Sequence, residues 1–192
     1  GQRKLPVLFD KGTTIHDSSS IIRHLEKIEM YPKLIPEDPK QASQAQIIEN
    51  WADTTLAKSI KIVFLEELTK NPMLISSLFT KDISDSIQTP IFNIPTKFAS
   101  QISGLLNQKK RESLKVNLKY LSNLINHNNF LVGETLSVAD LSVASHISLL
   151  KFPNSSGEKL AGNGCSLFKN DPSLQNLFNW RDLIEEQLAI TN

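Results

Sequence analysis

The sequence predicts an α+β fold, in which a small unit of two strands and one helix precedes a domain built only of helices. Two observations lead to this prediction. Near the start, two short runs of strand-forming residues, 5–9 and 13–16, flank a turn that contains Gly12. From Pro39 onward, small and apolar residues recur at spacings of three and four, the period of a helix with one buried face.

The first helix is predicted to cover residues 18–28. Asp17 and Ser18 are residue types that satisfy the free backbone N–H groups of a helix start. Leu5–Pro6, at the entry to the first strand, is an X-Pro bond of the kind that a tight turn can hold in the cis form. Because a lone hairpin with one helix is marginal in water, we expect this unit to be part of a larger sheet.

Two long helices are predicted next. Asp38 and Pro39 are a good N-cap and first-turn pair for a helix over residues 39–69. Its predicted buried stripe is Ala45, Ile48, Ala52, Thr55, Ser59, Ile62 and Glu66. Residues 71–95 contain three prolines and are expected to be short helical pieces and loop. A second long helix is predicted over residues 96–126, and its core positions are Leu105, Leu106, Leu114, Leu118, Leu121 and Ile125.

Ser137 and Asp140 predict a capping box at the start of a buried core helix. The Ser137 hydroxyl can accept from the Asp140 N–H, while the Asp140 carboxylate can accept from the Ser137 N–H. Leu136 and Leu141 stand where a hydrophobic staple belongs. We therefore expect both polar residues to serve folding and not catalysis. A last capped helix is predicted from Asp171 to about residue 188.

The composition is that of an ordinary globular protein of 192 residues, with 40% apolar and 21% charged residues. The formal net charge is +1, and the basic cluster at 109–111 has no aromatic platform beside it, so nucleic acid is not an expected partner. No apolar run suits a membrane span, and no His/Cys cluster has metal-ligand spacing. The single cysteine, Cys165, cannot form an intrachain disulfide, so a reducing, cytoplasmic setting is expected.

Three separated motifs resemble those of soluble glutathione transferases and follow in the same order. They are Leu5-Pro6-Val7-Leu8, Asp17-Ser18 and Ser137-Val138-Ala139-Asp140. The resemblance implies that residues 1–30 are the later part of a thioredoxin-like glutathione-binding domain, 31–38 a linker, and 39–192 the all-helical C-terminal domain. It also implies that the first strand-helix-strand unit of the thioredoxin-like domain lies upstream of the residues given.

The resemblance implies a glutathione site, and the chemistry of its residues suits the tripeptide. The Ser18 hydroxyl and the N–H groups after it would hold the γ-glutamyl carboxylate, while the Asp17 carboxylate would take the ammonium. A cis Leu5–Pro6 bond would offer the Leu5 backbone to the cysteinyl backbone. Lys4 has the charge and reach for the glycine carboxylate. For each motif alone the simpler alternative stays open, namely that Asp17 and Ser18 only cap a surface helix and Pro6 only stiffens a turn.

The implied activity is transfer of glutathione to a small electrophile, or reduction of one with glutathione, as in detoxification. The thiol-activating Ser, Tyr or Cys is expected upstream, so the catalytic residue and the electrophile are unassigned. A homodimer is also implied, with Asp53 as a candidate to reach the partner's γ-glutamyl ammonium. The alternative is a non-catalytic module of the same fold, which serves as a scaffold in translation or stress proteins. Retention of the binding-site residues favours the enzyme.

Other residues are weaker candidates for chemistry. The four histidines are scattered along the chain, and His146 is expected to be a core or edge residue of its helix. Trp51 is expected to pack and not to contact substrate. Tyr120 belongs to a long helix with ordinary core spacing, which makes it a poor substitute for a catalytic tyrosine.

Overall fold

The computed structural model describes residues 5–28, 32–78, 108–126 and 128–190. Two short strands, β1 (Val7–Asp10) and β2 (Thr13–His16), precede helix α1 (Ser18–Lys27). After α1, every element described is a helix or a helical turn. The predicted fold class is therefore confirmed, since a small antiparallel sheet with one helix is followed by an all-helical domain.

The hairpin and α1 form one small unit. β1 and β2 pair antiparallel, and the register runs from Val7 opposite His16 to Asp10 opposite Thr13. The Nε2 atom of His24 in α1 lies 2.8 Å from Oδ2 of Asp10, so the helix is fastened to the turn end of the hairpin.

One long helical path crosses the molecule after the linker, as predicted for residues 39–69. It consists of α2 (Pro39–Trp51), a π-helical turn (Ala52–Leu56) and α3 (Ala57–Lys70). Asp38 caps α2, because its carboxylate accepts the Gln41 N–H at 2.8 Å.

The buried stripe of this path departs from the prediction at several positions. The buried positions, each one residue after a predicted one, are Leu56, Ile60 and Val63 in place of Thr55, Ser59 and Ile62. A π turn closes with hydrogen bonds from residue i to i+5, so it holds more residues than an α-helical turn. The turn does not account for the departure, because Glu49 in α2 is already buried in place of Ile48, whereas Glu66 in α3 is buried as predicted.

The remaining helices build the rest of the domain. They are α4 (Pro72–Leu78), α5 (Gln108–Ile125), α6 (Val138–Ile147), α7 (Ser166–Lys169) and α8 (Gln175–Ile190). α5 lies within the range predicted for the second long helix, and its predicted core positions from Leu114 to Ile125 are buried. The predicted core residues Leu105 and Leu106, and most of segment 71–95, lie outside the described residues. No helix in the described ranges is long and apolar enough to cross a membrane.

A capping box begins α6, the most buried helix of the domain. The Ser137 N–H and hydroxyl donate to Oδ2 of Asp140 at 2.9 and 2.8 Å, and the Leu131 N–H donates to Oδ1 at 2.7 Å. Ser137 and Asp140 are both fully buried. Burial raises the pKa of the Asp140 carboxyl above its ordinary value, although these hydrogen bonds act in the opposite direction.

The linker joins the two parts of the molecule. The N–H groups of Leu34 and Ile35 donate to Oε1 of Glu26 in α1, at 2.5 and 3.1 Å. The Leu34 carbonyl accepts the Val138 N–H at the start of α6, at 2.9 Å. Both linker residues and Ile22 of α1 also pack on a buried apolar cluster that includes Val138. The small unit is thus held against the helical domain by polar and apolar contacts.

Candidate functional site

The start of α1 has an unusual backbone. Asp17 is the N-cap residue, with φ 75° and ψ 131°, and its carboxylate accepts the N–H and the hydroxyl of Ser20, both at 3.3 Å. A residue other than glycine with positive φ costs on the order of 1–3 kcal/mol and is found most often at functional sites. The fold therefore holds Asp17 in a defined place at this helix end.

The hairpin register places Pro6 beside Asp17. Val7, which follows Pro6, is opposite His16, which precedes Asp17, so the two motifs flank the same pair at the end of the ladder. The Leu5–Pro6 peptide bond is cis, and Leu5 is 89% exposed. Two motifs that are eleven positions apart in the sequence are thus adjacent at the open end of the hairpin.

The first turn of α1 offers donors to an anion. The first helical bond runs from the Ile21 N–H to the Asp17 carbonyl at 3.0 Å, and Asp17 also takes the Ser20 N–H. Helix geometry leaves the N–H groups of Ser18 and Ser19 without acceptors in the helix. Two backbone donors and the positive end of the helix dipole therefore face outward here. Lys4 lies outside the described residues.

A cleft of about 610 Å³ separates this end of α1 from α2 and the π turn. The carboxylates of Asp17, Glu49 and Asp53 line it together with the Arg23 guanidinium. Such a mixture suits a ligand that carries both an ammonium and a carboxylate.

Glu49 was missed by the sequence reasoning. It is 8% exposed, and the Ser19 hydroxyl in the first turn of α1 donates to its Oε1 at 2.5 Å. A signal was present, because Glu49 falls on the same helical face as the buried Ala45 and Ala52. A carboxylate inside an apolar stripe is expected to have a specific polar partner.

Asp53 lies in the π turn and faces α6 as well as the cleft. Its Oδ1 accepts the Ser142 hydroxyl at 2.5 Å and lies 2.9 Å from Nε2 of His146. His146 lies at the edge of its helix, where its side chain is 19% exposed. The carboxylate of Asp53 therefore reaches the same cleft as Asp17 within a single chain.

A second, apolar groove of about 270 Å³ runs between α2 and α5. Trp51, Leu121 and Leu124 contribute to its lining, and Trp51 also packs against the main core. Tyr120 borders the groove and is 67% exposed, so it lies outside the core of α5. The groove and the polar cleft lie on different faces of α2, because Ile48 and Trp51 line the groove whereas Gln46, Ile47 and Asn50 line the cleft.

Neither metal ligands nor a reactive thiol appear in the described part of the chain. Within it, no group of three or more His, Cys, Asp or Glu residues is placed to hold a metal ion. Cys165 is buried, and burial together with the nearby Glu67 and Glu66 raises its pKa to about 12. A thiol with such a pKa stays protonated near neutral pH and is a poor nucleophile.

The fold is that of the glutathione transferase type, and the sequence agrees. The model of the glutathione S-transferase C-terminal domain matches residues 87–189, which is just over half of the chain. The chain therefore belongs to the glutathione S-transferase family, as the three motifs indicated.

Two solved structures share the fold. The β-etherase LigF from Sphingobium sp. strain SYK-6 has a TM-score of 0.64 at 17% identity, over 98% of this chain and 76% of that one. A glutathione S-transferase from Rhodospirillum rubrum F11 has a TM-score of 0.52 at 23% identity, over 91% of this chain and 70% of that one. At these identities the likeness concerns the fold alone.

One curated relative is named for its localization and not for an enzymatic reaction. FtsZ-localized protein A from Caulobacter vibrioides (strain NA1000 / CB15N) is 22% identical over 151 residues, which are 77% of this chain. The matched part is 56% of that protein, so the chain spans little more than half the length of this relative.

Proposed function

We propose that this protein binds glutathione at the start of α1, beside the polar cleft, and conjugates it to small electrophilic compounds, or reduces them with it. The observation that carries the proposal is the meeting of the cis Leu5–Pro6 bond with Asp17 at the start of α1. One motif offers backbone groups and the other an anion next to free N–H donors. A bound tripeptide with an ammonium, two carboxylates and two amides needs all of these.

Each part of the ligand has a proposed partner. Ser18, with its hydroxyl and the free N–H groups of the first turn, holds the γ-glutamyl carboxylate. The Asp17 carboxylate takes the ammonium of the same group. The backbone of Leu5 pairs with the cysteinyl unit, and Lys4 holds the glycine carboxylate. These contacts would place the thiol outside the first turn of α1, beside Pro6.

The chemistry then requires a thiolate. A hydrogen-bond donor at the sulfur stabilises the charged form and lowers the thiol pKa, so that the nucleophile is present near neutral pH. We assign no residue of this chain to that role. The described residues bind and orient glutathione, and the electrophile is left unspecified.

We also propose a two-fold homodimer in a reducing, cytoplasmic setting. Val116, Tyr120 and Leu124 are exposed along one side of α5, at the rim of the apolar groove. Exposed apolar stripes of this kind are commonly buried by a second copy. The cross-subunit role proposed for Asp53 would further require the two-fold axis to bring the polar cleft, which Asp53 lines, close to the partner. The proposed domains are residues 1–30 and 39–192, joined by the linker 31–38.

A second candidate function is a non-catalytic binding module of the same fold. The observation in its favour is that a curated relative is named for localization with a partner protein and not for a reaction. The two candidates differ in one measurable property, since only the enzyme would turn over glutathione with a model electrophile.

Calorimetry with matched ligands tests the proposal. The full-length protein should bind glutathione, and it should bind the dipeptide Cys-Gly far more weakly, because Cys-Gly lacks the γ-glutamyl group that Asp17 and Ser18 would hold. Equal affinities, or no heat with either ligand, would overturn the assigned site. Binding without turnover of 1-chloro-2,4-dinitrobenzene and other standard electrophiles would favour the non-catalytic module.

A further inference from the structure

The contact between Glu49 and Ser19 joins the candidate site to the helical domain. Glu49 is 8% exposed and accepts the Ser19 hydroxyl at 2.5 Å. A carboxylate that is removed from water is costly unless hydrogen bonds replace its hydration. The contact joins residues thirty positions apart in the sequence. It is maintained because the buried Glu49 carboxylate needs a hydrogen-bond donor in place of water.

The two ends of this contact differ in how firmly they are held. Glu49 lies on α2, between Ala45 and Ala52, which are both completely buried on the same helical face. Ser19 lies in α1, which has no buried residue. Glu49 is thus held firmly by the helical domain, and its hydrogen bond to Ser19 determines the position of the first turn of α1.

That first turn carries the proposed ligand contacts. Asp17 and Ser18 directly precede Ser19, and the free N–H groups belong to Ser18 and Ser19 themselves. Other contacts hold the middle and far end of α1, through His24 to the hairpin and through Glu26 to the linker. Among the described side-chain contacts, Glu49 is the one that reaches the ligand-facing end of α1 from the helical domain.

We infer that Glu49 is a positioning residue, which holds the first turn of α1 at a fixed distance and angle from α2. Through Ser19 it sets the direction of the free N–H groups and the place of the Asp17 carboxylate over the cleft. The inference deepens the proposed function and, for its effect on ligand binding, rests on it. It assigns control of glutathione affinity to a residue of the all-helical domain.

Hydrogen exchange on the ligand-free protein tests the positioning itself. In Ser19→Ala and in Glu49→Ala, the amides of Ile21 and Ile22 should exchange about tenfold faster than in the parent, while those of α6 stay unchanged. Glu49→Gln keeps an oxygen that can accept the Ser19 hydroxyl and should recover part of the protection. Unchanged exchange at both α1 amides in Ser19→Ala would overturn the inference.

The chain offers a matched control. Glu67 in α3 accepts the N–H and the hydroxyl of Ser166 at the start of α7, at 3.1 and 2.8 Å, away from the polar cleft. Ser166→Ala therefore breaks the same kind of helix-to-helix contact. It should leave the exchange of the α1 amides and the glutathione affinity unchanged. If it altered them as Ser19→Ala does, the effect would be general and not one of positioning.

Calorimetry with glutathione then separates positioning from direct contact. Ser19→Ala and Glu49→Ala should each weaken binding about five- to tenfold, the double variant should be little weaker than either single one, and Glu49→Gln should weaken binding less. If Glu49→Gln weakened glutathione binding while Ser19→Ala did not, Glu49 would contact the ligand directly, and the positioning role would be overturned. A parent that binds no glutathione removes the proposed function, whereas the exchange experiment still decides how α1 is held.

Discussion

The helix that begins the candidate site and the helix at the centre of the domain are built in opposite ways. α1 contains no buried residue, whereas six of the ten residues of α6 are buried. Both helices start with an acidic side chain that accepts backbone N–H groups, but the carboxylate of Asp17 is exposed and that of Asp140 is completely buried. The same local chemistry therefore serves a ligand-facing helix end in one region and the core in the other.

This difference teaches where stability and binding reside. Burial of apolar side chains supplies most of the folding free energy, so the helical domain carries the stability. The small unit has few buried side chains of its own and takes its position from contacts with α2 and the linker. Changes in the two regions should consequently have separable effects.

The largest effect is expected from Asp140→Ala, which removes the buried carboxylate at the start of α6. The variant leaves the N–H groups of Leu131 and Ser137 buried without their acceptor, so the free energy of unfolding should fall by about 3 kcal/mol. Urea denaturation measures this loss. Ser145→Ala, on the exposed side of the same helix, is the control and should cost under about 0.5 kcal/mol. Equal stabilities of the two variants would show that α6 is not the central element.

Ser18→Ala removes a hydroxyl from the ligand-facing end of α1. Glutathione binding should weaken by about 1–3 kcal/mol, the range for a lost hydrogen bond to a charged group, while the unfolding curve stays that of the parent. Calorimetry and thermal denaturation of the same sample provide both numbers. Ser76→Ala, at an exposed position of α4, should change neither. An affinity equal to the parent's would remove Ser18 from the site.

Tyr120→Glu tests whether the exposed stripe of α5 belongs to a dimer. A carboxylate placed in an apolar interface must lose its hydration, so the dimer dissociation constant should rise about tenfold. Sedimentation equilibrium at micromolar concentration gives the association state of parent and variant. If the parent is a monomer, both the dimer and the cross-subunit role of Asp53 are excluded.

A pH prediction follows from Asp171, which caps the turn before α8. Hydrogen bonds from Lys115 and Ser173 lower the pKa of its carboxyl to about 2, from an unfolded value of 3.8. A depressed carboxyl pKa stabilises the fold above the unfolded value and loses this contribution as the pH falls from 3.8 towards 2. Asp171→Asn should cost about 1 kcal/mol at pH 6, since Lys115 is partly exposed and screened. Denaturation should show that the difference in free energy of unfolding between variant and parent is smaller at pH 2.5 than at pH 6. A constant difference would contradict the ion pair.

The smallest effect is expected at Cys165. With its pKa raised to about 12 by burial, the thiol should not react with Ellman's reagent at pH 8 while the protein is folded. The same thiol should react fully after denaturation, which is the internal control. Rapid reaction in the native state would mean that the loop before α7 opens readily.

The sequence predicted features whose partners are close together along the chain. The capping box joins Ser137 to Asp140, and the turn at Gly12 joins two adjacent strands, so local residue types were sufficient. Burial of α6 was expected because the Ser137–Asp140 motif resembles the start of the family's buried core helix. The family could be recognised because its motifs are of this local kind.

Features that depend on how helices pack were not predictable in the same way. The π turn has no sequence pattern of its own that would predict it. The partners of Asp53 are 89 and 93 positions away, and Glu49 meets Ser19 across thirty. Such contacts depend on the angle between two helices, which the sequence period does not specify.

The linker limits where relatives of this protein can differ in length. Leu34 donates its N–H to Glu26 in α1 and accepts the Val138 N–H with its carbonyl. The peptide groups before and after Leu34 are therefore bonded to different parts of the molecule. An inserted residue next to Leu34 would leave one of these bonds without its partner. Evolution is therefore expected to place insertions in the loops between the later helices and to keep this short segment constant in length.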